Sequence, residues 1–158
     1  MESNVTIDRE RQLFLLLRQT HVLIYKAIED ELRLSGSVPY TQAAVLFVVK
    51  AIGEQATPAQ ISRWLIREPH TVSALLVRME KRGLLRKTKD LERKNLVRVT
   101  LTEKGEEALR KGMKEETTIS KIMSRLSNEE QDCLRAHLET LRSKALEELR
   151  IKYKMPLP

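Results

Sequence analysis

The sequence of 158 residues has few of the residues that several classes of protein require. Its single cysteine excludes an internal disulfide framework and a zinc site built from cysteines. Five glycines and five prolines are too few for an all-β fold with many turns or for a long disordered linker. No apolar run approaches the roughly 18 residues of a membrane-spanning helix, and the N-terminus, MESNVTIDRERQ, lacks the apolar run of a signal peptide. We therefore expect a soluble, cytoplasmic protein with no membrane partner, built as one domain with helical extensions.

The sequence also lacks the motifs of common enzymes. A Gly-x-Gly-x-x-Gly fingerprint, a phosphate loop and a Gly-x-Ser-x-Gly motif are all missing. The three histidines, His21, His70 and His137, lie far apart, and we expect none to have a metal-ligating partner at helical spacing. A zinc site needs three or four ligands. The alternative is a weak site whose ligands come from both chains of a dimer. These absences predict a protein that is not an enzyme and that needs no metal or cofactor.

The charge of the chain is distributed unevenly. The sequence has 29 basic and 22 acidic residues and a formal net charge of +7. Residues 61–100 contain 11 basic and 4 acidic residues, so this quarter of the chain carries the whole imbalance. Such a segment is typical of a nucleic-acid-binding surface. The alternative is a solvated face that happens to be basic.

Two short helices are predicted within this basic region. Thr57–Pro58 is a helix start, and it predicts a helix over Ala59–Ile66. Pro69 begins a second helix, which runs to Arg82 and which Gly83 closes. Helices of this length, joined by a three-residue turn, predict a helix-turn-helix.

The second of these helices has an inner and an outer face. We expect four apolar residues on the inner face: Val72, Leu75, Leu76 and Met79. The outer face then holds His70, Thr71, Ser73, Ala74, Val77 and Arg78. A recognition helix presents its outer face to base edges in the major groove of DNA. Ala74 and Val77 can offer only apolar contact there, and Arg78 would reach either a guanine or a phosphate.

The pattern after Gly83 changes from helical to extended. Leu84–Lys87 is followed by a charged turn over Thr88–Asn95, and Leu96–Leu101 then alternates between apolar and other residues. This pattern predicts a β-hairpin with a highly charged tip.

The tip of the hairpin is a candidate second reader of DNA. It contains Asp90, Arg93 and Lys94, and an arginine on a protruding turn fits the narrow minor groove of A·T-rich DNA. The alternative is an exposed hairpin with no function. The basic residues that we expect on DNA, besides Arg78, are Arg67, Arg86, Lys89, Arg93 and Lys94.

Helices are predicted on both sides of this centre. Residues 8–33 carry two apolar stripes, and a helix that is apolar on two faces buries one in its own domain and one in a partner. Thr41 is expected to cap a helix over Gln42–Ile52, and Thr102 one that runs to about Arg125. A capping box at Ser127 begins the last helix, whose apolar stripe is Leu134, Leu138, Leu141, Ala145 and Leu149.

The order of these parts resembles the MarR family of winged-helix regulators. Thr71–Leu85 (TVSALLVRMEKRGLL) is similar to the recognition helix of that family, and Asp90–Lys94 (DLERK) is similar to its wing. Leu101–Gly105 matches the Leu-Thr-x-x-Gly motif that begins the next helix of the family. Ala74 stands where many relatives carry arginine, Val77 where a polar residue is common, and the wing lacks the usual proline after the aspartate. The base preference of the family therefore does not carry over.

The resemblance covers nearly the whole chain and implies a fold and a function. The fold is mainly α (α+β), with a winged helix-turn-helix over 35–102 between dimerisation helices over 1–34 and 103–158. The implied function is that of a transcriptional repressor that binds double-stranded DNA as a homodimer, at an inverted repeat whose half-sites lie about one helical turn apart. The alternatives are a sequence-indifferent architectural DNA binder and a winged helix that contacts proteins.

The resemblance also implies control by a small aromatic or phenolic acid. In the family, such an effector binds between the dimerisation and winged-helix parts. Here its pocket would lie near His21, Tyr25, Tyr40 and Phe47, which offer apolar rings and polar tips. The alternative is that these are ordinary core and interface residues. We expect Cys133 to act as a small hydrophobic residue on the last helix and not as a redox sensor.

Overall fold

The computed structural model describes residues 8–90, 96–113 and 117–151, and over these ranges the chain forms seven α-helices and one β-hairpin. The helices are α1 (Arg9–Leu34), α2 (Tyr40–Ile52), α3 (Pro58–Leu65), α4 (Pro69–Lys81), α5 (Glu103–Gly112), α6 (Thr118–Met123) and α7 (Asn128–Glu148). The strands are β1 (Leu85–Lys89) and β2 (Val97–Leu101). This mainly helical fold with one antiparallel hairpin confirms the predicted fold class. None of the helices over the described ranges is both long and apolar enough to cross a membrane.

One apolar core holds the central part of the chain together. It lies between α2, α3, α4, the hairpin and α5. The largest side chains that are wholly buried in it are Leu46, Ile61, Leu76, Met79, Leu85, Val45, Val72 and Val99. Burial of each such side chain contributes roughly 1.5–3 kcal/mol, so this core fixes how the recognition helix α4 is rotated.

The hairpin pairs in a single register and is joined to both flanking helices. Leu85 pairs with Leu101 at its base, and Lys89 pairs with Val97 at its far end. Strand β1 therefore continues two residues past its predicted end at Lys87, because Thr88 and Lys89 each find a partner on β2. A side chain at Gly105 would collide with the carbonyl oxygen of Leu84, which explains the glycine of the Leu-Thr-x-x-Gly motif.

Local capping signals start several helices at the expected residues. Thr57 and Gln60 form a capping box at α3, and Ser127 and Glu130 form one at α7. The prediction that Thr41 caps α2 is wrong. Helix α2 begins two residues before the predicted start at Gln42, and the amide of its first residue, Tyr40, donates to Glu29 Oε2 of α1 at 2.9 Å.

The predicted continuous helix from Thr102 to about Arg125 is also wrong. Helix α5 ends at Gly112, and a separate helix, α6, begins at Thr118. A Cβ at Gly112 would lie 3.0 Å from Leu32 Cδ2, so α1 approaches closely at a residue with low helix propensity. Thr117 and Ser120 then form a new capping box, which starts α6.

We predict that Ile66→Gly stabilises the protein. Ile66 ends α3 in the left-handed region, with φ 50°, and its side chain is exposed. A β-branched residue is strained there by roughly 1–2 kcal/mol, and glycine removes that strain. Urea unfolding should show a gain of roughly 1 kcal/mol. The matched control is Ala74→Gly in the middle of α4, which should lose about 1 kcal/mol; equal losses in both variants would contradict the prediction.

Candidate nucleic-acid interface

The structure confirms the predicted inner and outer faces of α4. Val72, Leu75, Leu76 and Met79 are buried in the core. The six residues expected to read DNA are all exposed: His70, Thr71, Ser73, Ala74, Val77 and Arg78. Helix α4 therefore presents one continuous solvent-facing surface of small, apolar and basic side chains, which has the dimensions of a groove-binding helix.

The turn between α3 and α4 brings Arg67 beside the start of the recognition helix. The amide of Ile66 donates to the Arg63 carbonyl at 3.2 Å, and that of Arg67 to the Ser62 carbonyl at 3.0 Å. These two bonds satisfy carbonyl groups that the end of α3 leaves free. Pro69 then begins α4 two residues after the exposed Arg67.

The wing contributes exposed cations from β1. Arg86 and Lys89 are exposed, and their odd spacing places them on opposite faces of the hairpin. Arg93 and Lys94 lie outside the described residues.

Lys87 fixes the wing to the recognition helix. Its Nζ lies 2.9 Å from Glu80 Oε2, and its backbone amide donates to Glu80 Oε1 at 3.0 Å. Because Glu80 belongs to α4, these contacts join the wing and the recognition helix into one surface.

A second ion pair gives Asp90 a structural contact within the wing. Asp90 Oδ2 lies 2.9 Å from Arg98 Nη2, and the two side chains are only 14% and 21% exposed. Arg98 Nη1 also donates to the carbonyl oxygen of Gln55 at 2.9 Å. Asp90, which follows the last residue of β1, therefore ties the two strands together at the far end of their pairing. Arg98, which contributes to the basic excess of residues 61–100, serves the same structural purpose.

Sequence reasoning missed one exposed cation on α4. Lys81 is exposed and follows Arg78 by three residues, so the two lie on the same side of the helix. The helical spacing was present in the sequence and could have identified Lys81. Within the described ranges, no ion pair engages the exposed cations Arg67, Arg78, Lys81, Arg86 and Lys89.

The structure brings together two of the four residues expected at an effector pocket. The rings of Tyr25 on α1 and Tyr40 on α2 have their centroids 4.9 Å apart and meet edge to face at 74°. His21 is exposed one turn before Tyr25, and Phe47, 45% exposed, lies two turns after Tyr40. The Tyr25–Tyr40 contact marks the junction between α1 and α2.

The expectation that no histidine has a metal-ligating neighbour is wrong for His137. Cys133 lies four residues earlier on α7, and its Sγ is 3.5 Å from His137 Nδ1. Both side chains are exposed. Among the residues that the structure describes, no group of three or more His, Cys, Asp and Glu side chains could hold a metal ion.

We predict that the wing contact makes stability depend on pH. The hydrogen bond from the Lys87 side chain lowers the pKa of the Glu80 carboxyl below its usual 4.5, although burial acts in the opposite direction. A carboxyl with a lowered pKa stabilises the fold above its unfolded-state pKa, and this stabilisation is lost as pH falls through the folded-state pKa. The gap in unfolding free energy between the wild type and Glu80→Gln should be constant near pH 7 and shrink below about pH 4.5.

Urea titrations from about pH 8 to about pH 3 would measure this gap. Lys87→Met removes the side-chain partner instead of the carboxyl and should remove the larger share of the pH-dependent part, because the Lys87 amide still donates to Glu80. A free-energy gap that keeps its size down to about pH 3 would contradict the claim that the Lys87 contact lowers the pKa of Glu80.

Comparisons with known proteins agree with this geometry. Residues 38–105 match the family model described as a winged helix DNA-binding domain. The organohalide-sensing transcriptional regulator RdhR-CbdbA1625, solved with 2,4-dichlorophenol and ligand-free, is 30% identical, with a TM-score of 0.82 over 97% of this chain and 92% of that one. No curated protein matches the sequence.

Two more distant solved structures share the fold. A mutant of MarR from E. coli, solved with operator DNA, has 17% identity and a TM-score of 0.72 over 85% of this chain and 99% of that one. PcaV from Streptomyces coelicolor, solved with its natural ligand, has 20% identity and a TM-score of 0.70 over 89% of this chain and 99% of that one. With the exposed face of α4 beside a basic wing, these likenesses show that the chain belongs to the MarR family of winged-helix, DNA-binding transcriptional regulators.

Proposed function

We propose that this regulator is a homodimeric repressor of the cytoplasm, not an enzyme, that binds an inverted-repeat operator and is released by a small aromatic ligand. The observation that carries the proposal is the set of exposed groups on the outer face of α4, at Arg67 and on the wing at Arg86 and Lys89. The core and the Lys87–Glu80 pair hold these parts in one arrangement. The sequence of DNA is read by contacts to base edges, whereas phosphate contacts position the protein.

The residue types on this surface favour selective over indifferent binding. Ala74 and Val77 are exposed at the centre of α4, where an apolar side chain can contact the methyl group of thymine. Ser73 and Thr71 can donate and accept hydrogen bonds near the start of the helix. A surface that bound only phosphates would need cations at these positions, and the cations instead flank them at Arg67 and Arg78.

The terminal helices support a homodimer. Phe14 and Leu23 of α1 are each 65% exposed, and among the described residues of α7 none is buried. A groove of about 420 Å³ runs along α7 beside Leu134 and Leu138, with Met123 at its end. Exposed apolar faces of this extent mark an interaction surface. We assign them to a second copy of the chain, whose α1 would cover the groove in a two-fold arrangement.

The proposed effector site lies at the junction of α1 and α2. The regulator RdhR-CbdbA1625 was solved with 2,4-dichlorophenol, and PcaV with its natural ligand. In the present chain, Tyr25 and Tyr40 offer ring faces and hydroxyl groups, and the exposed Phe47 lies two turns further along α2. A small aromatic acid would release DNA only if it bound the DNA-free arrangement more tightly than the DNA-bound one.

The experiment that tests the proposed function compares two DNA duplexes. One comes from the region upstream of the protein's own gene, with further genomic duplexes selected by binding if needed, and the other has the same bases scrambled. Binding that remains at least about tenfold tighter to one natural duplex at near-physiological salt supports a sequence-specific regulator. Equal, salt-sensitive binding to every duplex indicates an architectural binder. Absence of binding even at low salt indicates a winged helix that contacts proteins.

We predict that Arg78→Ala weakens operator binding. If Arg78 reads a guanine, the operator should lose roughly 1–3 kcal/mol of affinity and the scrambled duplex should lose little. If Arg78 contacts a phosphate, both duplexes should weaken and the slope of log K against log salt should fall by about 1. Fluorescence anisotropy over a salt series measures both quantities. Arg33→Ala, which removes an exposed arginine at the end of α1, is the matched control, and identical behaviour of the two variants would place Arg78 away from DNA.

We predict that Leu138→Glu breaks the homodimer. A carboxylate at this position would be buried without a partner against the second copy, which should raise the dimer dissociation constant by roughly 100-fold or more. Sedimentation equilibrium gives that constant directly. Thr140→Glu introduces the same charge on the opposite side of α7 and should leave the dimer intact. Dimers of equal strength in both variants would show that the groove beside Leu138 is not the interface.

A further inference from the structure

The first helix of the winged-helix part is capped from another helix. Pro39 precedes α2 and has no side-chain donor or acceptor, and among the described residues the amide of Tyr40 finds its acceptor in Glu29 of α1. The bond from Tyr40 N to Glu29 Oε2 is 2.9 Å long and partly buried. A carboxylate at the positive end of a helix forms a strong, directional hydrogen bond. The start of α2 therefore has a defined position relative to α1.

A second contact holds the same residue. Tyr25 lies one turn before Glu29 on the same side of α1, and its ring meets the ring of Tyr40 edge to face. Tyr40 is thus held at its backbone amide and at its side chain by two residues of one helical face. The amide of Ser37 donates to the Leu32 carbonyl at 3.0 Å, which keeps the connection between the helices short.

The opposite side of α1 is tied to the other part of the chain. Glu31 follows Glu29 by two residues, which turns it by about 200° around the helix. Its two carboxylate oxygens accept from the amide of Thr118, at 3.2 and 3.0 Å, where α6 begins. Helix α6 leads into α7, so α1 is joined on one side to the DNA-reading part and on the other to the helices that we assign to the dimer.

We propose that Glu29 is a positioning residue that sets the angle at which each DNA-reading part is held on the dimer, and thereby the spacing of half-sites that the dimer accepts. This inference rests on the proposed homodimeric function. A rotation of α2 about α1 breaks the hydrogen bond between Glu29 and the Tyr40 amide, whereas apolar contacts between the two helices can slide without being lost. Glu29 touches no DNA in this proposal and acts through the placement of α2, and through the core on α4.

The test uses full-length protein and operators that differ only in spacing. Glu29→Ala, Glu29→Gln and Asp30→Ala are compared on the operator and on versions with one base pair added to or removed from its centre. One base pair rotates one half-site by about 34–36° relative to the other, so the wild type should prefer its own spacing by roughly tenfold or more. Glu29→Ala should reduce this preference to about threefold or less.

Two controls separate positioning from loss of folded protein. Glu29→Gln keeps an oxygen that can accept from the Tyr40 amide and should restore most of the preference. Asp30→Ala removes an exposed carboxylate that pairs with Arg33 one turn further along α1, and it should match the wild type. A variant that merely unfolds loses affinity for all three operators in proportion. Retention of the wild-type spacing preference by Glu29→Ala would overturn the proposal.

A measurement without DNA separates failure of this inference from failure of the proposed function. Spin labels at Gln19→Cys on α1 and Ala59→Cys on α3, in a Cys133→Ala background diluted with unlabelled chain, report the distance across the junction within one chain. Glu29→Ala should shift or broaden this distance, and Glu29→Gln should not. If the wild type binds no duplex selectively, the proposed function fails, and the spin-label distance alone then tests the positioning role. An unchanged distance distribution in Glu29→Ala would refute that role. A changed distance with an unchanged spacing preference refutes it as well.

Discussion

Burial of the inner face of α4 is the constraint on which the remaining structure depends. Leu76 and Met79 are wholly enclosed between α2, α3 and the hairpin, and this enclosure leaves α4 only one rotation about its axis. The rotation decides that Ser73, Ala74 and Val77 face solvent. A core of fixed shape therefore also selects which residues of α4 are exposed on the face where we propose that DNA is read. Close-packed interiors can hold a helix in one rotation in this way because they do not deform continuously.

The basic charges of the central segment divide into two groups with different purposes. Lys87 and Arg98 pair with Glu80 and Asp90 and hold the wing against the fold. The exposed cations on α4 and β1 form the second group, which we propose attracts and positions DNA. A net charge describes only the sum of these groups. The division matters because a cation engaged with a carboxylate, as at Arg98, contributes orientation to the wing and little to the binding of phosphate.

Regularities of short range explain why much of the fold could be predicted from the sequence. Helical periodicity located the buried face of α4. The pair Thr57–Pro58 located the start of α3 and the capping box at Ser127 that of α7, because such signals lie within a few neighbouring residues. Features that depend on distant residues were missed. The break after Gly112 depends on the approach of α1, the start of α2 depends on Glu29, and the role of Asp90 depends on its pairing with Arg98 across the hairpin.

A polar junction between the two parts suits a regulator better than an apolar one. An apolar contact changes its free energy gradually as two helices slide, because dispersion and burial have little angular preference. The hydrogen bond from Tyr40 to Glu29 is lost within a small rotation, because its strength falls steeply with angle. A small effector beside Tyr25 and Tyr40 would therefore need to disturb only one directional bond to release the orientation of α2. Since the core carries α4 with α2, that local change would reach the DNA-reading face as a rotation of the whole unit.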